Sequence, residues 1–454
     1  MALAFPVKHR KPELIVPAEP TPHEIKTLSD LDDQQSLRSH YPMIMFYKTN
    51  PFVKEKDPVG IIREAIAKTL VYYYPYAGRL VEGPNNKLVV DCTGEGVVFV
   101  EADAQVRLGE LGDTICPPCP YSELLVSHVS ISIGVLGSPL MMFQVTRFIC
   151  GGFVLAVLFN HLMSDALGSI QFVNAVSEIA KGASTPSTLP VWKRELVTAR
   201  NPPHIAHTLH EYEPMDRIDP ITKIMNDEKI VRKSFSFGPK EIKSIRKNLP
   251  PEIRSSSKFD LITACLWRSR TKALNLDGEE IVRITCMINI RGKKFLDLPT
   301  GYYGNAILCP ATITKAKTLC ENPLGYAINL VKKARSQVTK DYIRSTIDYI
   351  ATKGRPQLSH FWNFIVSDAS RVGFEELDFG WGKPIYGGTM YGGATNDNSV
   401  YALFRNKNGE DLVVVPVCLP AAAMERFEKE LKKAIWEPVE DSNKLYSKMT
   451  TSKL

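Results

Sequence analysis

The chain has 454 residues, of which 44% are hydrophobic and 23% are charged, and its formal net charge is +7. This length exceeds one ordinary core, so we expect a globular protein of two domains. The positive charges form no block and are not interleaved with aromatic residues, which argues against a nucleic-acid-binding arm. No stretch approaches the ~20 apolar residues of a membrane span, and the charged N-terminus is unlike a secretory signal peptide.

The first part of the sequence alternates between predicted helices and strands. Residues 57–74 carry apolar side chains at helical spacing and predict a helix. Residues 87–101 contain two β-rich runs around a glycine-containing turn, which is typical of a hairpin. The near-continuous apolar runs 141–147 and 152–160 have the length of strands, so we expect them in the interior of a sheet.

A helix and then a long irregular segment follow these strands. Residues 166–181 show helical periodicity, and Gly182 is a suitable C-terminal cap. From residue 183 the sequence becomes rich in Pro, Ser, Thr and His, so we predict an interdomain crossover at 183–225. Its three regularly spaced histidines resemble a metal site, but we interpret their spacing as coincidence: His204, His207 and His210.

The second half of the sequence repeats the alternation of the first. Residues 257–274 predict an amphipathic helix that begins with a capping box of Ser257 and Asp260. The other predicted elements are strands at 281–290 and 412–417 and helices at 324–339 and 421–435. We therefore predict the α/β class with mixed sheets and covering helices. The predicted domains are 1–182 and 226–454.

The sequence HLMSD at 161–165 is the first candidate for chemistry. It stands between a predicted interior strand and a helix, where α/β proteins commonly place ligands. An imidazole with a pKa of about 6.5 is largely neutral near neutral pH, so His161 can take a proton from an alcohol and return it to a thiolate. Asp165 either orients the imidazole or caps the helix and pairs with an arginine. By spacing alone, a core histidine with satisfied hydrogen bonds remains the alternative interpretation.

The second candidate is DFGWG at 378–382. Its two glycines flank an aromatic residue and predict a tight loop. The N–H of Trp381 can serve packing or stabilise an oxyanion, and the alternative is a surface turn with an aromatic plug. The sequence contains no G-x-S-x-G elbow, P-loop or dinucleotide fingerprint, so neither a serine acyl-enzyme nor a nucleotide site is supported.

HLMSD in the first half, DFGWG late in the second and the long segment between them resemble the BAHD acyltransferases of plants. The resemblance covers nearly the whole chain. Within the family, the sequence is most similar to the alcohol acyltransferase branch that includes benzyl alcohol benzoyltransferases. Further segments that carry the resemblance are PELIVPAEPTP, LSDLDDQ, YYYPYAGRL, KLVVDCTGEGV, LPVWKRELVTARNPP, SKFDLITACLWRSRT, GYYGNA and VVPVCLP.

The resemblance implies two domains of chloramphenicol-acetyltransferase-like fold with a solvent channel along their interface. It places His161 at the centre of that channel, between a mouth for coenzyme A and a mouth for the alcohol. It further implies that Asp165 maintains the shape of the site and that Asp378, away from the chemistry, pairs with Arg291. Basic and hydroxyl residues are implied to hold the coenzyme phosphates: Ser257, Lys258 and Arg291. The candidate catalytic set is His161, Asp165, Asp378 and Trp381.

The resemblance also implies the reaction, which is the transfer of an acyl group from acyl-CoA to an alcohol without a covalent enzyme intermediate. His161 would be the general base, and the Trp381 N–H is one candidate donor to the oxyanion. We expect benzoyl-CoA as the donor and benzyl alcohol as the acceptor. The alternatives are acetyl transfer to aliphatic alcohols, a hydrolase, and a non-catalytic coenzyme- or partner-binding protein on the same fold.

The last three residues and the cysteines bear on localisation and cofactors. Ser452, Lys453 and Leu454 match the tripeptide read by the peroxisomal import receptor, so we predict peroxisomal import, with the cytoplasm as the alternative. Nine cysteines without regular spacing predict reduced thiols. Cys116 and Cys119 have C-x-x-C spacing but no second pair, so we expect no metal there. We expect acyl-CoA as a co-substrate, no permanently bound cofactor, and a monomer.

Overall fold

The computed structural model describes residues 5–437 except for 54, 113–114, 127–133, 214–228, 294–295 and 394. Two large sheets dominate these ranges, and each contains both parallel and antiparallel strand pairs. Helices cover the sheets, which confirms the predicted α/β class with mixed sheets. No helix in the described ranges is both long and apolar enough to cross a bilayer.

The first half of the chain builds most of one large sheet and all of a small one. Its strands are β1 Val7–His9, β2 Glu13–Ile15, β3 Ile25–Thr27, β4 His40–Tyr47, β5 Arg79–Glu82, β6 Leu88–Asp91, β7 Val97–Ala104, β8 Met141–Phe148 and β9 Phe153–Asn160. Its helices are α1 Pro58–Tyr72, α2 Ser122–Leu125 and α3 Ala166–Ala180. The strand order of the large sheet is β1-β7-β8-β9-β4, with β2 also paired to β7.

Strands β8 and β9 lie in the interior of this sheet, as the apolar runs predicted. Every residue of β9 is buried, and its side chains alternate between two separate hydrophobic cores. Phe153, Leu155, Val157 and Phe159 belong to the core that includes α1 and α3, while Val154, Ala156 and Leu158 belong to the core on the other face. Because both faces are covered, residues 153–159 of the strand are all apolar. Helix α3 ends one residue before its predicted end, and Gly182 follows with a φ of 99°.

The predicted hairpin at 87–101 is wrong, because its two runs belong to different sheets. Strand β6 pairs with β3 and β5, whereas β7 pairs with β1, β2 and β8. Gly96, between the runs, has a φ of 92° and donates its N–H to the Ala77 carbonyl. A Cβ at Gly96 would lie 2.2 Å from the Ile15 carbonyl oxygen. The turn residues therefore allow close backbone contacts with other segments instead of closing a hairpin.

In its described residues, 183–213, the segment predicted as a crossover contains two short 3₁₀ turns, Arg194–Val197 and His210–Tyr212. A bridge between Val191 and Tyr302 joins it to the second half of the chain. Residues 214–225 of the prediction lie outside the described residues, and the boundaries of the two domains stay a prediction. The segment reaches both halves, so it holds them together as well as connecting them.

The second half builds the other large sheet. Its strands are β10 Ile230–Phe237, β11 Ile281–Cys286, β12 Ile288–Asn289, β13 Ile307–Leu308, β14 Ala311–Lys315, β15 Asn363–Asp368, β16 Tyr386–Thr389, β17 Asn398–Arg405 and β18 Asp411–Pro420. Its helices are α4 Pro239–Lys247, α5 Pro251–Arg254, α6 Lys258–Leu274, α7 Ala316–Glu321, α8 Leu324–Ser336, α9 Lys340–Thr352 and α10 Ala421–Trp436. The sheet has the order β10-β18-β17-β15-β11-β14. Ser257 and Asp260 form the predicted capping box of α6.

Strand β16 leaves its own half and completes the sheet of the first half. It pairs antiparallel with β4, from Tyr386 opposite Phe46 to Thr389 opposite Met43. The first sheet thereby gains its seventh strand from a segment only four residues after DFGWG. An edge strand needs a partner for its free N–H and C=O groups, and here the second half supplies that partner to β4.

Candidate active site

His161 follows directly after β9 at the end of the sheet. Its N–H donates to the Ser39 carbonyl at 3.0 Å, and its own carbonyl accepts from Asn305 Nδ2 at 2.8 Å. The imidazole is half-buried, with its centroid 6.0 Å from the ring of Tyr41 and 5.5 Å from that of Phe159. Its Nδ1 atom is buried and has no hydrogen-bond partner among the described residues. The nitrogen that can meet a substrate is therefore Nε2.

The protonation of His161 depends on its surroundings. Burial lowers the pKa of His161, because removing the imidazolium from water disfavours the charged form. The backbone carbonyl of His161, the carboxylate of Asp165 and the side chain of Asn305 oppose this effect by favouring the charge. Since burial dominates, the pKa lies below its ordinary value and the ring is neutral at neutral pH. A neutral imidazole is the form that can accept a proton.

Asp165 caps α3 and pairs with an arginine, as the second of the two predicted roles stated; the other predicted role was to orient the imidazole. Its Oδ1 accepts from the N–H of Gly168 at 3.0 Å, as an N-cap residue does. Its Oδ2 accepts from Arg291 Nη1 at 2.7 Å and from the N–H of Ala306 at 2.9 Å. The carboxylate therefore acts on the backbone around His161 and joins the first half of the chain to the second.

Arg291 belongs to this cluster, and its predicted pairing with Asp378 is wrong. Besides Asp165, its guanidinium donates to the carbonyl of Tyr302 at 3.2 Å and to that of Gly304. Asp378 instead accepts from the N–H groups of its own loop, from Gly380 at 2.8 Å and Gly382 at 2.9 Å. Both of these bonds go to Oδ1 of Asp378, and neither involves an arginine. A role of Arg291 on the coenzyme phosphates stays a prediction.

The DFGWG loop docks at the far end of β9. Gly380 and Gly382 have φ values of 102° and 93°, so the predicted tight loop is confirmed. The ring of Trp381 is buried and stands edge-on to Phe153, with 5.4 Å between the centroids. Tyr47 donates its hydroxyl to the Leu377 carbonyl at 2.9 Å. The aromatic side chains of the loop thus fill the core of the first half.

This location excludes Trp381 from the reaction. Phe153 and His161 are eight residues apart along an extended strand, and at about 3.3 Å per residue their backbones are on the order of 26 Å apart. Trp381 contacts the ring of Phe153, so its N–H does not reach an atom beside the imidazole. The hypothesis that Trp381 stabilises the oxyanion is therefore wrong. The loop instead clamps the second half onto the first.

Ser257 and Lys258 lie at the start of α6, apart from the cluster of His161, Asp165 and Arg291. The Ser257 hydroxyl accepts from the N–H of Asp260 at 3.1 Å, and both Ser257 and Lys258 are exposed. Arg335, which the sequence analysis missed, forms an ion pair with Asp260 at 2.5 Å. A helix N-terminus with two neighbouring cations attracts anions, but the predicted role on the coenzyme phosphates stays a prediction.

The three histidines of the crossover serve separate contacts. His204 donates its backbone N–H to Asp348, the ring of His207 stands edge-on to Tyr342, and His210 Nδ1 lies 2.7 Å from Glu213 Oε1. In the described ranges, no three side chains of His, Cys, Asp and Glu come together in a metal-binding arrangement.

Three residues around His161 were missed as site residues in the sequence. Asn305 holds the His161 carbonyl, and Asp32 and Arg194 are buried beside it. Each lies in a segment that carried the family resemblance: GYYGNA, LSDLDDQ and LPVWKRELVTARNPP. Asn305 follows the aromatic and glycine residues of GYYGNA, whereas Asp32 and Arg194 stand among other charged residues, so the sequence pattern did not single out these two or name their partners.

A family model and several known proteins match this chain over nearly its whole length. The model of the family described as "Transferase family" matches residues 5–434. Benzyl alcohol O-benzoyltransferase of Petunia hybrida is 50% identical over 453 residues, which are 99% of this chain and 98% of the relative. The enzyme of the same name from Nicotiana tabacum is 52% identical, covering 94% of each chain. Alcohol acyl transferase 1 allele GSa of Malus domestica is 51% identical, covering 96% of this chain and 95% of the relative.

Two solved structures share the fold at low identity. Vinorine synthase has a TM-score of 0.71 at 20% identity, covering 95% of this chain and 99% of its own. TRI101 of F. sporotrichioides, complexed with coenzyme A and T-2, has a TM-score of 0.70 at 18% identity, covering 89% and 97%. These matches confirm the predicted fold of two chloramphenicol-acetyltransferase-like domains.

Proposed function

This chain belongs to the Transferase family, the BAHD acyltransferases, and on that premise we propose that it forms benzyl benzoate from benzoyl-CoA and benzyl alcohol. The family and the nearly full-length relatives make it an acyl-CoA-dependent alcohol O-acyltransferase. We propose the identity of the acyl group, the identity of the alcohol and the role of each residue.

His161 is the general base of the proposed mechanism. Neutral Nε2 takes the hydroxyl proton of the alcohol while the oxygen attacks the thioester carbonyl of acyl-CoA. The resulting tetrahedral intermediate collapses to the ester and expels the coenzyme thiolate. The imidazolium returns its proton to that thiolate, whose conjugate acid has a pKa of about 8.5 for a generic thiol. Atoms and charges balance without an enzyme-bound acyl group. The position of His161 supports this assignment: it follows directly after β9, Ser39 and Asn305 hold its backbone, and its Nδ1 atom is buried.

Three buried cysteines are unsuited to form a thiol acyl-enzyme. Burial raises the pKa of Cys92, Cys265 and Cys286 to about 12, so these thiols stay protonated at neutral pH. A protonated thiol is a poor nucleophile. With an activated thioester as donor, the enzyme needs to align the two substrates, provide a base and exclude water.

The aromatic surroundings of His161 favour a planar substrate. Tyr41 and Phe159 stand beside the imidazole, and aromatic rings pack well against other rings in edge-on or offset geometry. The relatives from Petunia and Nicotiana named for benzyl alcohol support the same choice. The second candidate is acetyl transfer to aliphatic alcohols, which the similarly close alcohol acyltransferases of Malus domestica keep open.

One product assay tests both candidates. The full chain is incubated with equimolar benzoyl-CoA and acetyl-CoA and with equimolar benzyl alcohol and hexanol, and the esters are quantified by mass spectrometry. We expect benzyl benzoate as the main product and a loss of at least 10³-fold in kcat for His161→Ala, consistent with general-base contributions of about 10²–10⁴. Hexyl acetate as the main product would favour the second candidate. Free benzoate formed without alcohol would indicate a hydrolase, and binding of acyl-CoA without turnover a non-catalytic protein.

The coenzyme site is proposed at the start of α6. Ser257 and Lys258 are exposed at the N-terminus of a helix of 17 residues, where backbone N–H groups and a cation can meet phosphate oxygens. Lys258→Ala should raise KM for acyl-CoA while KM for the alcohol stays unchanged. Equal KM values for acyl-CoA in both proteins would remove Lys258 from the coenzyme site.

Peroxisomal import is proposed from Ser452, Lys453 and Leu454, which lie outside the described residues. A fluorescent protein fused before the N-terminus of the full chain should enter peroxisomes of plant cells, and deletion of the last three residues should leave it in the cytoplasm. Identical distributions of the two fusion proteins would contradict the proposal.

We further propose that the chain is a monomer, and light scattering of the purified chain tests this.

A further inference from the structure

The crossover carries a fully buried arginine beside the loop 161–165. Arg194 begins the 3₁₀ turn Arg194–Val197, and its side chain is 1% exposed. Nη1 donates to Asp32 Oδ1 at 2.9 Å, and Nη2 donates to the Met163 carbonyl at 2.7 Å. The guanidinium carbon lies 4.3 Å from the ring centroid of Trp192 and 5.1 Å from that of Tyr303. The arginine therefore connects the crossover to the loop 161–165 through one carbonyl.

Asp32 carries the same connection to the carbonyl of His161. The carboxylate is fully buried, and its Oδ1 accepts from the backbone N–H and from Nδ2 of Asn305, each at 2.9 Å. Its Oδ2 accepts from the N–H and the hydroxyl of Ser29. Asn305 Nδ2 also donates to the His161 carbonyl at 2.8 Å. Arg194 and Asp32 thus control donors to two carbonyls of the loop, those of His161 and Met163.

The backbone around Arg194 is built to leave room for it. A Cβ on Gly304 would lie 1.6 Å from Arg194 Nη1 and 2.5 Å from the Tyr302 hydroxyl. Only glycine fits at this position unless the guanidinium moves. The segment GYYGNA therefore surrounds the arginine with two tyrosines and a glycine, and it places Asn305 one residue further on, against Asp32 and His161.

We propose that Arg194 and Asp32 are positioning residues for His161, holding the carbonyls of His161 and Met163 so that the imidazole keeps its direction toward the reacting atoms. This inference rests on the proposed function of His161 as the general base. An ion pair without a role in positioning would be replaceable, because exchanging a buried pair for well-packed apolar residues is often neutral or stabilising. Here the pair reaches the backbone of the loop that carries the base. Arg194 donates to the Met163 carbonyl, and Asp32 holds the Asn305 amide that donates to the His161 carbonyl.

The charges of the pair also act on the protonation of the base. Asp32 is among the groups that raise the pKa of His161 against the dominant effect of burial. The other described charged and titratable groups near the ring include Asp165, its partner Arg291, and Tyr41. Removing the positive charge of Arg194 leaves Asp32 uncompensated and should raise the pKa of His161, while removing the negative charge of Asp32 should lower it.

The experiment compares Arg194→Met and Asp32→Asn with wild type in the full chain. We measure kcat, both KM values, the free energy of unfolding, and the acid midpoint, which is the pH where kcat has fallen to half on acidification. We expect kcat to fall at least 20-fold in each variant while both KM values change less than threefold. The acid midpoint should rise in Arg194→Met and fall in Asp32→Asn, a pair of opposite shifts that lost stability alone does not produce.

Arg194→Lys separates charge from geometry. It keeps the positive charge, so the acid midpoint should return to the wild-type value. A lysine has no planar fork to span Asp32 and the Met163 carbonyl together, so kcat should recover only in part.

Arg200→Met is the matched control. Arg200 also joins the crossover to a fully buried aspartate, with Nε 2.8 Å from Asp348 Oδ2, but its partners are Asp348 and the carbonyl of His204. This variant should lose stability while kcat stays within twofold of wild type and the acid midpoint does not move. Folded Arg194→Met and Asp32→Asn proteins that behave like this control would overturn the proposal.

A milder variant keeps the test decisive if the ion pair is needed for folding. Asn305→Ala keeps the ion pair and the backbone bond to Asp32, and it removes the side-chain amide that donates to both Asp32 and the His161 carbonyl. Its kcat should fall at least fivefold, and an unchanged kcat would overturn the proposal.

His161→Ala distinguishes the positioning role of Arg194 from the proposed role of His161 as the base. If that variant is inactive while Arg194→Met is normal, the positioning role fails and the base stands; if His161→Ala retains turnover, the proposed base itself fails.

Discussion

The exchange of Asp165 for asparagine tests how the cluster around His161 works. The Asp165 side chain is 3% exposed and that of Arg291 18%, so the substitution leaves a largely buried guanidinium without its counter-charge. Removing one partner of a buried pair costs about 3–5 kcal/mol of unfolding free energy. We expect about 3 kcal/mol, the lower end, because Arg291 keeps its bonds to the Tyr302 and Gly304 carbonyls and the amide oxygen can still cap α3.

The same substitution should also change the chemistry. Arg291 and the Ala306 N–H lose their shared acceptor, so the backbone beside His161 shifts, and a displacement of about 1 Å can lower kcat by about 10²-fold. The carboxylate of Asp165 raises the pKa of His161, so its loss should move the acid midpoint to lower pH. Urea titrations and pH profiles of kcat measure both effects.

Asp378→Asn is the matched control for this experiment. Asp378 also accepts two backbone N–H groups, but those belong to its own loop at the far end of β9. Its substitution should lower stability without moving the acid midpoint. If Asp165→Asn leaves both the acid midpoint and kcat at their wild-type values, the described cluster does not govern His161. If Asp378→Asn moves the acid midpoint as much, the separation of the two motifs is wrong.

Three further outcomes follow from the geometry. Burial lowers the pKa of His161, so the acid midpoint of the wild type should lie below about pH 6.5, the unperturbed value for histidine. A midpoint above this value in a pH profile of kcat would contradict the assignment of His161 as the base. Trp381→Ala should lose about 3–5 kcal/mol of unfolding free energy in a urea titration, because the ring fills the core. The kcat of the folded fraction should be unchanged, and a loss of kcat without a loss of folded protein would show that Trp381 takes part in the reaction. Gly304→Ala should fail to accumulate folded protein or lose most activity, since the new Cβ would collide with Arg194; a normal melting curve and kcat would refute this fit.

Much of the local structure could be predicted from the sequence. The apolar runs of β8 and β9, the helix α3 with Asp165 before it and Gly182 after it, and the capping box of α6 depend on neighbouring residues. Each is a matter of hydrophobic periodicity or of a side chain reaching a backbone group three residues away. His161, the candidate base directly after β9, was located by the same local pattern together with the family resemblance.

The errors concern residues that meet across the fold. Arg291 was assigned to Asp378, but its partner is Asp165, 126 positions away in the sequence. Trp381 was a candidate donor at the site, yet it packs at the other end of a strand of eight residues. The runs of β6 and β7 were joined in a hairpin although each found its partners in a different sheet. Arg291 was interpreted correctly as an ion-pair partner and both runs as strands, but their partners were assigned wrongly. For Trp381, packing was one of the two roles considered, and it is the role that the structure shows.

The sequence by itself determined that two apolar runs form the interior strands β8 and β9, that α3 and α6 begin after their capping residues, and that one histidine follows a buried strand. Those properties follow from interactions within a few residues, which the order of side chains specifies. Only the tertiary structure decided that β16 completes the first sheet and that Asp165 meets Arg291, and that Arg194 reaches Met163 from the crossover. Many carboxylates and arginines in this chain can pair, and burial in a particular packing arrangement selects which of them do.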